Sequence, residues 1–259
     1  MSAGTPIEIK SVTKTYGSHI ALENMNLSVE AGEIFGFLGP NGAGKTTAIR
    51  ILTGFLNPSS GSAYIFGMNC WRQTVGINKR IGFVPDLSSL YDSSTGRELL
   101  YYFGSLHGGL DQKNLKTLCD SLKLSNEDLD RKIIQYSHGM KRKLAIIQAM
   151  QHQPDLLIMD EPTQGLDPLT QMALFGMLKS FSNDGGTVFF SSHVLSEVEN
   201  LCERVAIIRE GKLIVIEEIK ELKSRKRQVA KIKFKSGFPS KFDLKGSTII
   251  SNKNNEILL

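Results

Sequence analysis

Gly39-Pro40-Asn41-Gly42-Ala43-Gly44-Lys45-Thr46-Thr47 is the stretch that decides how the chain is read. It fits G-x-x-x-x-G-K-[ST], a glycine-rich loop whose backbone N–H groups cradle phosphate. Just before it, Ile34-Phe35-Gly36-Phe37-Leu38 is a short apolar run of the kind a buried parallel strand shows. Behind it, Ala48-Ile49-Arg50-Ile51-Leu52 starts a helix, with Gly54 where a C-terminal cap belongs. The glycines let the backbone close around phosphate oxygens, and the helix N-terminus adds the positive end of its dipole. Lys45 is placed to reach the β- and γ-phosphates, and the Thr46 hydroxyl to ligate Mg²⁺. The stretch implies a nucleoside triphosphate site.

The totals fit one large domain, or a domain with a small appendage: 259 residues, 41% apolar and 22% charged. No run approaches the roughly 18 consecutive apolar residues of a membrane-spanning helix. The N-terminus lacks the basic-then-apolar pattern of an export signal. Cys70, Cys119 and Cys202 are scattered and odd in number, which fits a reducing cytosol rather than a disulfide frame or metal cluster. The net charge of +5 is uneven, because residues 220–245 hold ten Lys/Arg against Glu221 and Asp243, leaving −3 for the rest. A near-neutral body lacks the electrostatic footprint of a DNA or RNA binder, so no nucleic-acid partner is expected. Lys231, Lys233 and Lys235 in the tail read either as a solvated face or as a contact for anionic lipid, worth about 1 kcal/mol per basic residue.

Residues 7–12 and 21–29 read as strands around a turn at Tyr16-Gly17-Ser18-His19. Asn57-Pro58-Ser59-Ser60-Gly61 is a turn, with short strands at 63–66 and 81–84 beyond it. From about 87 to 152 the chain reads as helical. Thr95-Gly96-Arg97-Glu98 is a capping box, Leu115, Leu118 and Leu122 form an apolar stripe, Ser125 opens a third helix, and residues 140–152 form one more. Alternation then resumes: strand 156–159, helix 169–181 capped by Asp167-Pro168, strand 188–191, helix 195–202, and a hairpin turning at Glu210-Gly211. This order implies an open, mainly parallel α/β core with its site at the C-terminal ends of the strands and a helical subdomain, about 87–152, inserted. We place the core domain at residues 1–225. A small β-rich basic appendage at 226–259 is read from the alternation at 229–235 and the apolar runs Ile249-Ile250 and Ile257-Leu258-Leu259.

Leu156-Leu157-Ile158-Met159-Asp160-Glu161 is an apolar run ending in two carboxylates. Asp160 at a strand tip suits a Mg²⁺ ligand acting through water, and Glu161 suits a base that deprotonates the attacking water.

With both motifs in hand, residues 5–225 resemble the nucleotide-binding subunit of ABC transporters. Gly39 to Thr46 match Walker A, and 156–160 followed by Glu161 match Walker B. The resemblance implies a P-loop NTPase fold of the ABC ATPase type, with an N-terminal antiparallel β subdomain beside the mainly parallel sheet. It makes Tyr16 the aromatic that stacks on adenine. It makes Tyr136-Ser137-His138-Gly139-Met140 the signature sequence, with Ser137 and Gly139 contacting the γ-phosphate held by a partner subunit. Asp167, in Gly165-Leu166-Asp167, falls at the dimer interface, and His193 is the switch histidine at the γ-phosphate. His138 and Met140 depart from the commoner Gly and Gln. Asp86, in Val84-Pro85-Asp86, stands where the family usually carries a Gln that senses Mg²⁺; a carboxylate can bind the ion but, ionised, donates no hydrogen bond. These departures look like the bacterial ABC-2-type exporter group. The expected cofactors are ATP and Mg²⁺. The expected partners are a second nucleotide-binding subunit and an integral membrane permease, with the chain cytoplasmic and peripheral on the membrane.

Two other readings fit less of the sequence. A soluble ABC-type ATPase acting on ribosomes usually carries two cassettes, and one acting on DNA usually carries a coiled-coil or zinc-bearing insertion before the signature. Neither stands here between Thr47 and Tyr136. An unrelated P-loop kinase or GTPase leaves Ser137, Gly139, Asp167 and His193 without a common explanation.

Overall fold

The computed structural model describes residues 5–86, 93–224, 231–233, 251–253 and 256–258. The chain falls into two compact units, Met1–Ile219 and Lys220–Leu259. In chain order the first unit opens with strands β1 (Ile7–Tyr16), β2 (His19–Val29) and β3 (Ile34–Leu38), then helix α1 (Lys45–Leu52). Next come β4 (Ser60–Ile65), β5 (Met68–Asn69), α2 (Thr74–Asn78) and β6 (Ile81–Val84). A helical stretch follows: α3 (Gly96–Leu106), α4 (Gln112–Leu122), α5 (Asn126–Asp130) and α6 (His138–Met150). It ends in alternation: β7 (Leu156–Asp160), α7 (Pro168–Asn183), β8 (Thr187–Ser192), α8 (Leu195–Leu201), β9 (Arg204–Arg209) and β10 (Lys212–Glu218). Helix α9 (Ile219–Ser224) leads into the second unit, whose described part is an antiparallel sheet of β11 (Lys231–Lys233), β12 (Ser251–Lys253) and β13 (Glu256–Leu258), in the order β11-β13-β12. The expected apolar pair Ile249-Ile250 lies outside the described residues, as do residues 87–92 of the inserted helical stretch.

Two sheets organise the first unit. One is antiparallel, in the order β2-β1-β4-β5. The other has six strands in the order β10-β9-β3-β8-β7-β6, parallel except for β10 against β9. Strand β3 is central and apolar throughout because it is covered on both faces. At Gly36 an added Cβ would stand 2.6 Å from Val198 Cγ1, so the glycine lets α8 close onto the strand. Helix α1 buries Ala48, Ile49, Ile51 and Leu52 in a core shared with Ile7, Leu22 and Ile65 of one sheet and Phe35, Ile158 and Phe189 of the other. Each of the Ile, Leu and Phe side chains contributes about 1.5–3 kcal/mol on burial.

The inserted helices are held by caps. Thr95 and Glu98 form the capping box that opens α3, and Ser125 and Asp128 form a second one for α5. Helix α6 lies on β6 so closely that a Cβ at Gly82 would be 2.0 Å from Ala149 O. That contact fixes the helix that Ser137 opens. The short β5 and α2 have too little periodicity to be seen in the sequence.

Candidate functional site

Parallel register puts the working residues at one edge. Leu38 pairs with Ser192 and with Ile207, and Asp160 pairs with Ser191. The glycine loop therefore leaves β3 between the tips of β8 and β9. Gly39 N–H donates to Ser192 O at 3.2 Å, and a Cβ on Gly39 would stand 2.4 Å from Ile208 O. At the far end of the loop Gly44 takes φ 109°, ψ 2°, with Ala21 O 2.7 Å from where a Cβ would be. This left-handed turn starts α1 at Lys45, three residues earlier than the apolar run suggests, so Lys45, Thr46 and Thr47 form the first turn. Among the described residues no side chain caps that turn, and its N–H groups have no intrahelical acceptors.

Lys45 is 6% exposed, and its Nζ donates to Gly39 O at 2.6 Å and Pro40 O at 3.2 Å. The same ammonium is 3.1 Å from Glu161 Oε1, while Glu161 Oε2 is 2.8 Å from His193 Nδ1. Lys45, Glu161 and His193 thus form one chain of contacts. Glu161 sits at φ 50° directly after β7, a left-handed conformation uncommon for Glu that turns its carboxylate toward Lys45. Its Oε1 is buried and, among the described residues, has no hydrogen-bond partner of acceptable angle despite the nearby ammonium.

Beside this chain lies a second carboxylate. Asp160 is 1% exposed; its Oδ2 accepts from Thr46 Oγ1 at 2.8 Å and its Oδ1 from Ser191 Oγ at 2.6 Å. Burial pushes its pKa above the usual carboxylate range, the two hydroxyl bonds pull it back, and the charges of Asp86 and Glu161 push it up again.

These groups border a cleft of about 440 Å³ lined by Tyr16, Asn41, Gly42, Gly44, Lys45, Thr46, Thr47, Asp86 and Glu161. Tyr16, 49% exposed, stands on its rim with Lys14 Nζ 5.2 Å from the ring centroid. Gly39, Pro40 and Ala43 stand behind the wall: the first two hold Lys45, and Ala43 O accepts from Gly211 N–H at 2.9 Å. Ser137, Gly139 and Asp167 do not line this cleft. Ser137 Oγ caps α6 by accepting from Met140 N–H, and Asp167 caps α7 by accepting from Thr170 N–H and Oγ1. Those bonds, the Thr170 hydroxyl first, hold the Asp167 pKa below its usual value. The two loops touch each other, since a Cβ on Gly139 would lie 2.8 Å from Gly165 O.

Four parts of the site went unread in the sequence. Ser191 becomes a partner of Asp160 only through the β7–β8 register. His19, Ile20 and Ala21 join the cleft because β2 passes the loop. Glu210 and Gly211 reach it because the β9–β10 turn is bonded to Ala43. Arg142, on α6, is fully buried, and its Nη1 donates to Pro85 O at 2.7 Å and Asp160 O at 3.4 Å; a basic residue in Met140-Lys141-Arg142-Lys143 gives no sign of that depth.

The family model described as "ABC transporter" matches residues 22–164. The bacitracin transport ATP-binding protein BcrA of Bacillus licheniformis is 39% identical over 226 residues, covering 86% of this chain and 73% of its own. The linearmycin resistance ATP-binding protein LnrL of Bacillus subtilis is 36% identical over 222 residues, covering 85% and 71%. Among solved structures, a dimeric bacterial ABC transporter cassette superposes with a TM-score of 0.77 at 27% identity, covering 82% of this chain and 98% of the cassette. The chain belongs to the ABC transporter family, as an ATP-binding and ATP-hydrolysing subunit.

Proposed function

We propose that this subunit powers export, with two copies closing head to tail on two ATP molecules and driving an integral membrane permease. The observation that carries the hydrolytic part is the buried Glu161 Oε1, which lacks a hydrogen-bond partner among the described residues while Lys45 and His193 hold its carboxylate from either side. That oxygen is the acceptor for the proton of the attacking water. His193 orients Glu161 and stands ready to meet the γ-phosphate, and Lys45 transfers from its loop carbonyls and Glu161 to the β- and γ-phosphate oxygens. Tyr16 stacks on the adenine, an interaction worth about 1–3 kcal/mol.

Mg²⁺ fits the residues present. Thr46 Oγ1 and Asp160 Oδ2 already lie together, and among the described residues the side-chain hydrogen bonds to the Asp160 carboxylate come from the hydroxyls of Thr46 and Ser191. Among the described residues no three His, Cys, Asp or Glu side chains gather as a metal site, so Thr46 and Asp160 would hold the ion jointly with phosphate oxygens and water. When bound, the ion neutralises charge on the transferring phosphoryl group.

A second copy is supported by placement, since Ser137, Gly139 and Asp167 do not line the cleft that holds Lys45, and by the dimeric cassette to which the chain is similar. Export as the direction is supported by relatives named for bacitracin transport and linearmycin resistance. A peripheral seat on the cytoplasmic face is part of the same reading, since the ATP that the subunit uses is supplied on that side of the permease. Mixing two inactive variants tests the composite site. Lys45→Ala alone and Ser137→Ala alone each spoil both sites of their homodimers, but a mixed dimer keeps one whole site. Random pairing then restores roughly a quarter of wild-type turnover if each site works by itself. If both motifs served one site within one chain, mixing would restore nothing. Direction is tested by reconstituting the subunit in vesicles with its co-purifying membrane protein.

A further inference from the structure

Arg142 is fully buried, yet a guanidinium is a costly group to bury. Besides its bonds to Pro85 O and Asp160 O, its Nη2 lies 3.5 Å from Asp86 Oδ1. Among the described residues Nη2 and Nε make no hydrogen bond. Burial draws the Arg142 pKa down, and the Asp86 charge is the largest influence restoring it. One side chain therefore spans the helix opened by Ser137, the carbonyl preceding Glu161 and the loop after β6.

The charges of the site divide accordingly. Glu161 contacts the Lys45 ammonium and His193 Nδ1, and Asp86 contacts Arg142, whereas among the described residues the Asp160 carboxylate is bonded by the hydroxyls of Thr46 and Ser191 and acts on Arg142 less than Asp86 does. We propose that Arg142 is a positioning residue for hydrolysis that acts through Asp86: it engages that carboxylate on the α6 side, so that Asp160, with Thr46, is the acid left to face the cation. Asp86 is then the counter-ion of Arg142 rather than a metal ligand, which revises the role expected from the sequence. A carboxylate freed from Arg142 would add a second anionic ligand at the cleft wall and draw the cation away from Thr46. The proposal rests on the hydrolytic reading above, which wild-type turnover in the same assay tests separately.

A double-mutant cycle decides it. Arg142→Met should lower kcat by about 10–100-fold, with KM for ATP held within about twofold. In an Asp86→Asn background the same substitution should cost less than about twofold, because the two residues act as one unit. Equilibrium binding of a fluorescent ATP analogue, titrated with Mg²⁺, gives a readout apart from turnover. Half-saturating Mg²⁺ should fall in Arg142→Met and return to the wild-type value in the double variant. Arg142→Lys, which keeps the charge, should recover most of kcat. Equal losses in both backgrounds, or a Mg²⁺ dependence unmoved by Arg142→Met, would overturn the proposal. If Arg142→Met does not fold, Asp86→Asn alone is diagnostic: an unchanged Mg²⁺ requirement supports the pairing, and a several-fold weaker one makes Asp86 a cation ligand and sinks it.

Discussion

Replacing Glu161 by Gln keeps the side chain's volume while exchanging one carboxylate oxygen for an NH₂ group. The two contacts of Glu161 decide how the amide settles. Oε1 faces the Lys45 ammonium at 3.1 Å, and Oε2 faces His193 Nδ1 at 2.8 Å. An NH₂ against Lys45 would set donor against donor, so the amide oxygen takes that side and the NH₂ turns to His193, making Nδ1 the acceptor. The geometry survives, but the oxygen beside Lys45 no longer accepts a proton from water. Losing a positioned base costs about 10²–10⁴ in rate, equivalent to about 3–5 kcal/mol of barrier. ATP affinity should hold or rise, because Lys45 is released from a competing negative charge. Phosphate release, equilibrium nucleotide binding and light scattering on a sizing column read the three quantities, and an ATP-bound dimer should accumulate. Turnover within tenfold of the wild type would refute Glu161 as the base.

Two further outcomes concern stability. His107 and His152 stack with ring centroids 3.9 Å apart, and burial, then the His107 charge, hold the His152 pKa down at about 4. Because the folded value lies below the usual ~6.5, neutral His152 favours the fold above that pH; the contribution is lost as pH falls from about 6.5 to about 4, about 1–2 kcal/mol once partial exposure is discounted. Urea unfolding at pH 7 and pH 4.5 measures this, and His152→Gln should flatten that part of the pH dependence. Gly39→Ala would press a methyl against Ile208 O and Ile208 Cγ2, 2.4 and 2.8 Å away. It should destabilise by about 1–3 kcal/mol and weaken nucleotide binding. Among the described residues a methyl at Gly42 meets nothing within 4 Å, so Gly42→Ala should carry only the strain of its positive φ, about 1–2 kcal/mol; thermal melts of the pair separate crowding from backbone strain.

What the sequence discloses is local chemistry. The glycine loop, the acid-tipped strand, the capping box at Thr95 and the Asp167-Pro168 helix start all depend on residues a few positions apart, and each forms where the pattern places it. The hairpin at Glu210-Gly211 forms too, but its role does not follow from being a turn; the bond from Gly211 N–H to Ala43 O does that, across 168 positions of chain. Ser191 is invisible for the same reason, since a serine ending an apolar strand acquires meaning only from the strand beside it. Arg142 misleads outright: hydropathy assigns a basic residue to the surface, and a cage of two carbonyls and a carboxylate draws it inside. Asp86 was legible as a departure from the family pattern, but the partner that makes sense of it was not.

The position of β3 has a consequence for how the chain reaches its active form. Its neighbours are β8 and β9, which begin at Thr187 and Arg204, roughly 150 and 165 residues after the end of the loop strand. During translation β3 therefore waits with both edges unpaired, and neither side can be filled by local folding. Parallel pairing over such separations closes slowly and leaves strand edges open to misassembly in the meantime. Ser192, Ile208 and Gly211, which shape the nucleotide loop, belong to this late-arriving segment. A nascent chain halted before Arg204 should expose the P-loop sequence without the ability to hold ATP. Acquisition of nucleotide binding then marks the moment the central sheet is completed.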